Sequence, residues 1–160
     1  MDRLWAPWRM AYVSGASRSD GCLFCAALAA EDDRAALILC RRPRAFLLLN
    51  AFPYSPGHLM AALNRHVGPL EEATPEELGE TMALVQSAIR ALSTVYRPDG
   101  FNVGVNQGRV AGAGVEGHLH LHVVPRWNGD TNFMPVLGDV RVLPESLTAA
   151  YDRLRPALAP

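Results

Sequence analysis

The sequence predicts an α+β fold, a single domain in which a small antiparallel sheet packs against one long helix and some shorter ones. Three observations carry this expectation. Short apolar or alternating runs recur between turn residues over 35–63 and again over 101–124. One segment, 74–96, repeats its apolar residues at helical spacing behind a strong start signal. A chain of 160 residues, 49% of them apolar, is enough for one core and short for two.

Residues 1–20 read as an N-terminal arm, which leaves 21–160 as the folded domain with its C-terminal helix. Trp5 and Trp8 in that arm are costly to expose, so they are expected to pack on the body or on a partner subunit. A short helix is expected after Cys25, in "AALAAED". Three strands follow, "AALILC", "AFLLLN" and "GHLMAAL", punctuated by Arg42-Pro43 and by Pro53-Tyr54-Ser55-Pro56-Gly57. Thr74-Pro75-Glu76-Glu77 then opens the long helix: Thr74 caps, Pro75 loses nothing in the first turn, and Glu77 completes a capping box. Leu78, Met82, Val85, Ile89, Leu92 and Tyr96 form its apolar stripe, and Pro98-Asp99-Gly100 stops it. "FNVGVN" alternates as a strand, "QGRVAGAGVEG" is a glycine-rich loop, and "HLHLHVV" is a further strand. Pro144-Glu145-Ser146 opens a last helix running through Leu154.

Charge and cysteine content narrow the class of partner. A net charge of −1 gives no basis for bulk attraction to nucleic acid or to an anionic membrane. "MDRLWAPWRM" lacks the apolar stretch of a secretory signal, and no apolar run approaches the roughly 20 residues a spanning helix needs. Cys22, Cys25 and Cys40 do not make a disulfide framework. Cys22-Leu-Phe-Cys25 reads as a metal or redox pair in a reducing compartment, or more plainly as two buried thiols; the expected location is the cytoplasm.

His118, His120 and His122 fall at alternate positions in "GHLHLHVVPRW". On a strand they share one face, while Leu119, Leu121 and Val123 share the other and are expected to meet the long helix. Pro125 is expected to stop ladder pairing just beyond the row. Such a row is a solvated face that happens to use histidine, or a metal site, or a catalytic row in which neutral imidazole attacks phosphorus while its neighbours donate to phosphate oxygens.

Gly117 to Arg126 resembles the signature of the histidine triad (HIT) family, His-φ-His-φ-His-φ-φ with φ apolar. The resemblance extends over nearly the whole chain. "LLLNAFPYSPGHLMAALNRH" and "NVGVNQGRVAGAG" are similar to the segments that lead up to the triad. "LWAPWRMAYV…CLFC" and "RWNGDTNFMPVLGDVRVLPE" resemble flanks of a bacterial branch that includes diadenosine polyphosphate phosphorylases and hydrolases. It implies a HIT-like antiparallel sheet of about five strands. The implied activity is cleavage of diadenosine polyphosphates or related nucleotides through a covalent nucleotidyl-histidine. His120 would be the nucleophile and His122 the donor to phosphate or to the leaving oxygen. Asn106 and the backbone of Gly112, Ala113 and Gly114 would hold phosphate, and Asn50 the ribose. His58 would support the active strand from a buried position.

Many relatives carry Gln and a hydroxyl residue where this chain has Gly112-Ala113-Gly114, so hydrolysis and phosphorolysis both stay open. Relatives with the Cys pair imply a closed structural Zn²⁺ site, here Cys22, Cys25, His66 and His118, with Cys40 left to the core. Arg126 meets phosphate or is merely solvated, and Trp127 with "NGDTNFM" lines a base pocket or a dimer contact. The implied partners are a purine nucleotide or dinucleoside polyphosphate and a second copy of the chain in a homodimer with a continued sheet. The rival reading is a nucleotide-binding or protein-interaction module with negligible turnover.

Overall fold

The computed structural model describes residues 21–130 and 145–158. Its elements run α1 (Leu23–Ala29), β1 (Ile38–Arg41), β2 (Ala45–Leu49), β3 (Leu59–Leu63), α2 (Pro75–Tyr96), β4 (Gly100–Val105), β5 (His120–Arg126) and α3 (Leu147–Ala157). Single 3-10 turns at Leu70–Glu72 and Arg109–Ala111 complete the list. The strands form one antiparallel sheet in the order β1-β2-β3-β5-β4. The expected α+β architecture is therefore present. The N-terminal arm with Trp5 and Trp8, and residues 131–144, lie outside the described residues.

Strand alternation divides the sheet into two unlike faces. Leu47, Leu49, Leu59, Ala61 and Val123 pack on one side with Leu84, Val85, Ala88 and Leu92 of α2 and with Tyr151 and Leu154 of α3. Phe46, Leu48, Met60 and Ala62 lie on the other, joined by Phe24 of α1. Register puts His122 opposite Met60 and His120 opposite Ala62, so the histidines belong to this second face. Both faces of β2 and β3 are buried, which is why those segments read as continuous apolar runs.

The long helix begins as its sequence dictates. Thr74 accepts from the Glu77 backbone N–H, the Glu77 carboxylate accepts from the Thr74 N–H, and Pro75 occupies the first helical position. Arg97, in the left-handed region, ends it. Its buried seam differs from the expected stripe. Thr81, Leu84, Val85, Ala88, Ala91 and Leu92 are buried, whereas Met82 is 47% exposed. Ala88 and Ala91 let the helix lie close to the sheet, and a stripe drawn through large residues alone misses them. Glu77 is also buried, because Arg65 meets it through Nε and Nη2, both at 2.9 Å.

Two further expectations are corrected. α1 starts at Leu23 rather than after Cys25, so both thiols and Phe24 lie at or within its first turn. Pro125 does not stop β5: pairing with β3 ends at Val123, but pairing with β4 continues to Arg126. The Pro125 carbonyl faces the β3 side and accepts from Ser55 Oγ at 2.9 Å. The missing N–H thus falls where no strand remains to bond it. Gly57 closes the β2–β3 turn at φ 72°, where a Cβ would sit 2.8 Å from Leu92 Cδ2. Only glycine suits that turn.

Replacing Thr74 by Ala is expected to cost about 1 kcal/mol, measured by urea denaturation. Arg65 and then the Thr74 N–H hold the Glu77 carboxyl down to about 2. Its stabilising share is complete above the ordinary carboxylate range, near pH 4 to 5, and is lost as pH falls towards 2. Glu77→Gln is therefore expected to flatten the acid limb of stability against pH.

Candidate active site

The second sheet face gathers most of the chemistry. His118 is 1% and His120 4% exposed, while His122 is half-buried towards the strand's outer end. Burial pushes both His118 and His120 below the ordinary imidazole value, which keeps them neutral near pH 7.

A carbonyl only accepts, so backbone partners decide each tautomer. His118 Nε2 lies 2.7 Å from the Leu63 carbonyl and must donate, leaving its Nδ1 as the basic nitrogen. His120 Nδ1 lies 2.7 Å from the His118 carbonyl and must donate, leaving the lone pair on Nε2. The Tyr54 N–H donates to His58 Nδ1 at 3.1 Å, so neutral His58 carries its proton on Nε2. That proton reaches His122 Nδ1 at 2.9 Å, which makes Nε2 the donor nitrogen of His122. Adjacent rings on one strand thus present a basic nitrogen and an N–H, the pair that nucleophilic displacement at phosphorus requires.

His58, fully buried, takes the supporting place expected for it. Asn50 is buried at the end of β2. Its Oδ1 accepts from the Phe52 N–H at 2.8 Å and its Nδ2 lies 3.3 Å from His58 Nδ1. Asn106 follows β4 directly, and continuing the register puts it opposite His120 on the histidine face. Gly104 faces His122 in that register, and a Cβ there would meet nothing within 4 Å, so space opens beside His122.

The glycine-rich loop is a folded turn. The N–H groups of Ala111 and Ala113 donate to the Gly108 carbonyl and that of Gly112 to the Arg109 carbonyl. Gly108 and Gly112 supply the positive φ values of 81° and 92° that the turn needs. Gln107 ties it to Leu70 and Glu71, and Arg109 pairs with Glu116 at 3.0 Å across it. Arg126 pairs with Asp130 through Nε and Nη2 and donates from Nη1 to Asn102 Oδ1. Half-buried Trp127 donates its N–H to Asp130, while residues 131–134 lie outside the described part.

At the other end of the row, Cys22, Cys25, His66 and His118 bring one ligand atom each to within 4.8 Å of one another. Cys22 Sγ lies 3.2 Å and Cys25 Sγ 3.6 Å from His118 Nδ1, and His66 Nδ1 lies 3.3 Å from Cys25 Sγ. Tetrahedral zinc with thiolate and imidazole ligands has edges of about 3.3–3.8 Å, so the donor set and these three separations suit that ion. The Leu63 carbonyl turns the His118 lone pair towards the thiols, the usual service of a second partner to a ligand histidine. Cys40 lies apart, half-buried against the helical core.

Two aromatic residues at the site escaped the sequence reading. Phe24 packs its ring 4.7 Å from that of His120 and 5.1 Å from that of His118. Tyr54 lies 4.6 Å from the His58 ring and 5.9 Å from that of His122.

The HIT domain family model matches residues 32–129. An AP-4-A phosphorylase of Mycobacterium tuberculosis is 42% identical over 155 residues, 92% of this chain and 79% of that protein. A bis(5'-nucleosyl)-tetraphosphatase (asymmetrical) of Schizosaccharomyces pombe is 32% identical over 82 residues, 51% of this chain and 44% of that one. Among solved structures, a zinc-bound histidine triad family protein from Mycobacterium smegmatis superposes with a TM-score of 0.70 at 27% identity, covering 86% of this chain and 93% of that one.

Nitrogen-15 NMR of the histidine side chains is expected to show His120 protonated on Nδ1 and His122 on Nε2 at pH 7.5. In His58→Ala the His122 signal should become a mixture of tautomers while that of His120 is retained.

Proposed function

The chain belongs to the HIT family, and from that premise we propose that it cleaves dinucleoside polyphosphates through a nucleotidyl intermediate on His120. The His118 carbonyl carries this reading, because by accepting a hydrogen bond from His120 Nδ1–H it leaves the Nε2 lone pair as the nucleophile. With diadenosine tetraphosphate, Nε2 attacks the α-phosphorus of one adenosine and the bond to the bridging oxygen breaks. His122 Nε2–H donates to the departing oxygen, and ATP leaves. The second step transfers the adenylyl group from His120 to inorganic phosphate, giving ADP and restoring the free imidazole. Phosphate is the proposed acceptor because the phosphorylase likeness spans most of both chains. Small Gly112, Ala113 and Gly114 also leave room there.

Asn106, opposite His120 in register, is proposed to hold a non-bridging oxygen together with the Gly114 N–H, because the Gly112 and Ala113 N–H groups close the loop itself. Asn50 Oδ1 already accepts from Phe52, and its second lone pair suits a ribose hydroxyl. Cys22, Cys25, His66 and His118 are proposed to hold zinc. Four protein ligands leave no open position, so the ion would cross-link the start of α1, the segment after β3 and the approach to β5 in a structural role. β4 is an edge strand with Val103 43% exposed, and pairing of this edge with a second copy is the proposed homodimer. No helix among the described residues is long and apolar enough to cross a membrane.

Product analysis with and without inorganic phosphate tests the acceptor. ADP plus ATP, formed only when phosphate is present, is expected; AMP plus ATP in both reactions returns the acceptor to water. His120→Ala is expected to lose turnover by at least about 10³-fold while retaining nucleotide binding. Acid quench of the wild type with labelled substrate should trap a nucleotidyl-protein, which a pure binding module does not form. Metal analysis of protein purified without added metal is expected to give about one zinc per chain; a value near zero with both thiols titratable refutes the site.

A further inference from the structure

The Cys22-Leu-Phe-Cys25 segment does more than present two thiols. α1 is seven residues long with no side-chain cap bond at its start, so local helix energetics do not fix it. It is held by Phe24, which is 1% exposed, and by the thiols that face His118 and His66. Phe24 lands on the face of the His120 ring, 4.7 Å between centroids at 36°. On its other flank, His120 meets the His122 ring at 5.0 Å and 75°. Phe46 backs Phe24 edge-on at 6.4 Å.

This wedge bears on the reaction. The bond from His120 Nδ1 to the His118 carbonyl is a single tether, and rotation about Cβ–Cγ breaks it. A half-turn of the ring puts carbon Cε1 where Nε2 stood, and carbon cannot attack phosphorus. With the Phe24 ring tilted against it at 4.7 Å and the His122 ring 5.0 Å away, a turn of the His120 ring has to displace the side chains packed on it. We propose that Phe24 is a positioning residue for nucleotidyl transfer, locking the His120 ring in the one rotation that presents Nε2. This rests on the role assigned to His120 above. It also gives the thiols a purpose at the active site: they pin the helix that carries the wedge.

The test compares Phe24→Leu with Ile38→Val, a change in the same apolar cluster on β1, which β2 and β3 separate from the histidine row. Both changes keep an apolar side chain and remove only part of its volume, which cores tolerate at a moderate cost in stability. The single-turnover rate of labelled nucleotidyl-enzyme formation, the Kd for a non-cleavable dinucleotide and zinc content are measured for each. Phe24→Leu is expected to slow labelling by about 10- to 100-fold with Kd changed less than about threefold, while Ile38→Val keeps the rate. Zinc content should equal that of the wild type in both. Phe24→Met replaces the leucine variant if circular dichroism shows that it does not fold.

Wild-type labelling with no slowing in the Phe24 variant overturns the inference and leaves the proposed function standing. Equal slowing in both variants, or zinc loss confined to the Phe24 variant, also overturns it, since the effect is then general loosening or metal release. No labelling of the wild type overturns the proposed function and this inference with it.

Discussion

The His118 carbonyl, accepting the Nδ1 proton of His120 at 2.7 Å, is the contact on which the rest of the site depends. It sets which nitrogen of the buried imidazole is basic, and it does so with the backbone of the residue whose side chain faces the thiols. A neutral imidazole has one donor and one acceptor, and burying a donor unpaired costs about 1–3 kcal/mol. The row meets that demand in sequence. His118 gives its proton to Leu63, His120 to His118, and His58 to His122. The two backbone bonds fix the lone pair of the ring that donates, and the bond from His58 fixes that of His122, so neighbouring rings on one strand keep distinct tautomers.

The sheet makes this possible by being unequal on its two sides. α2 and α3 cover one face with an apolar core, while among the described residues the other carries the histidines under one short helix. A full helical layer on both faces would bury the row beyond reach of any nucleotide. Gly104 and the open register position beside His122 keep the β4 end accessible.

Much of this was legible because strand and helix periods are local. Alternation of His and apolar residues fixed the face, and Thr74-Pro75-x-Glu77 fixed the start of α2 to the residue. The ligand quartet was not locally legible. Residues 22, 25, 66 and 118 share no period, and only resemblance to a family joined them. Phe24 escaped because an aromatic residue between two cysteines carries no mark of what it will touch after folding. The seam of α2 was misread where alanine did the packing, since small residues add little to an apolar pattern but decide how close two elements come. The glycine loop was read as backbone donors awaiting an anion. Three of those donors instead close the loop on itself, a competition between inward and outward bonding that composition does not resolve.

Glu77 has a reach beyond the helix it caps. Its carboxylate bonds the Thr74 N–H and also grips Arg65, the residue immediately before His66. Helix ends fray more readily than any other part of a helix, and frayed turns are where native proteins first open. Here fraying of the first turn of α2 cannot proceed alone, because it releases the strand end that presents His66 to the thiols. Occupation of the thiol-histidine quartet should therefore be felt as slowed amide hydrogen exchange at Glu76 and Glu77, in a helix that contributes no ligand. One carboxylate makes the start of that helix and the ligand loop a single cooperative unit.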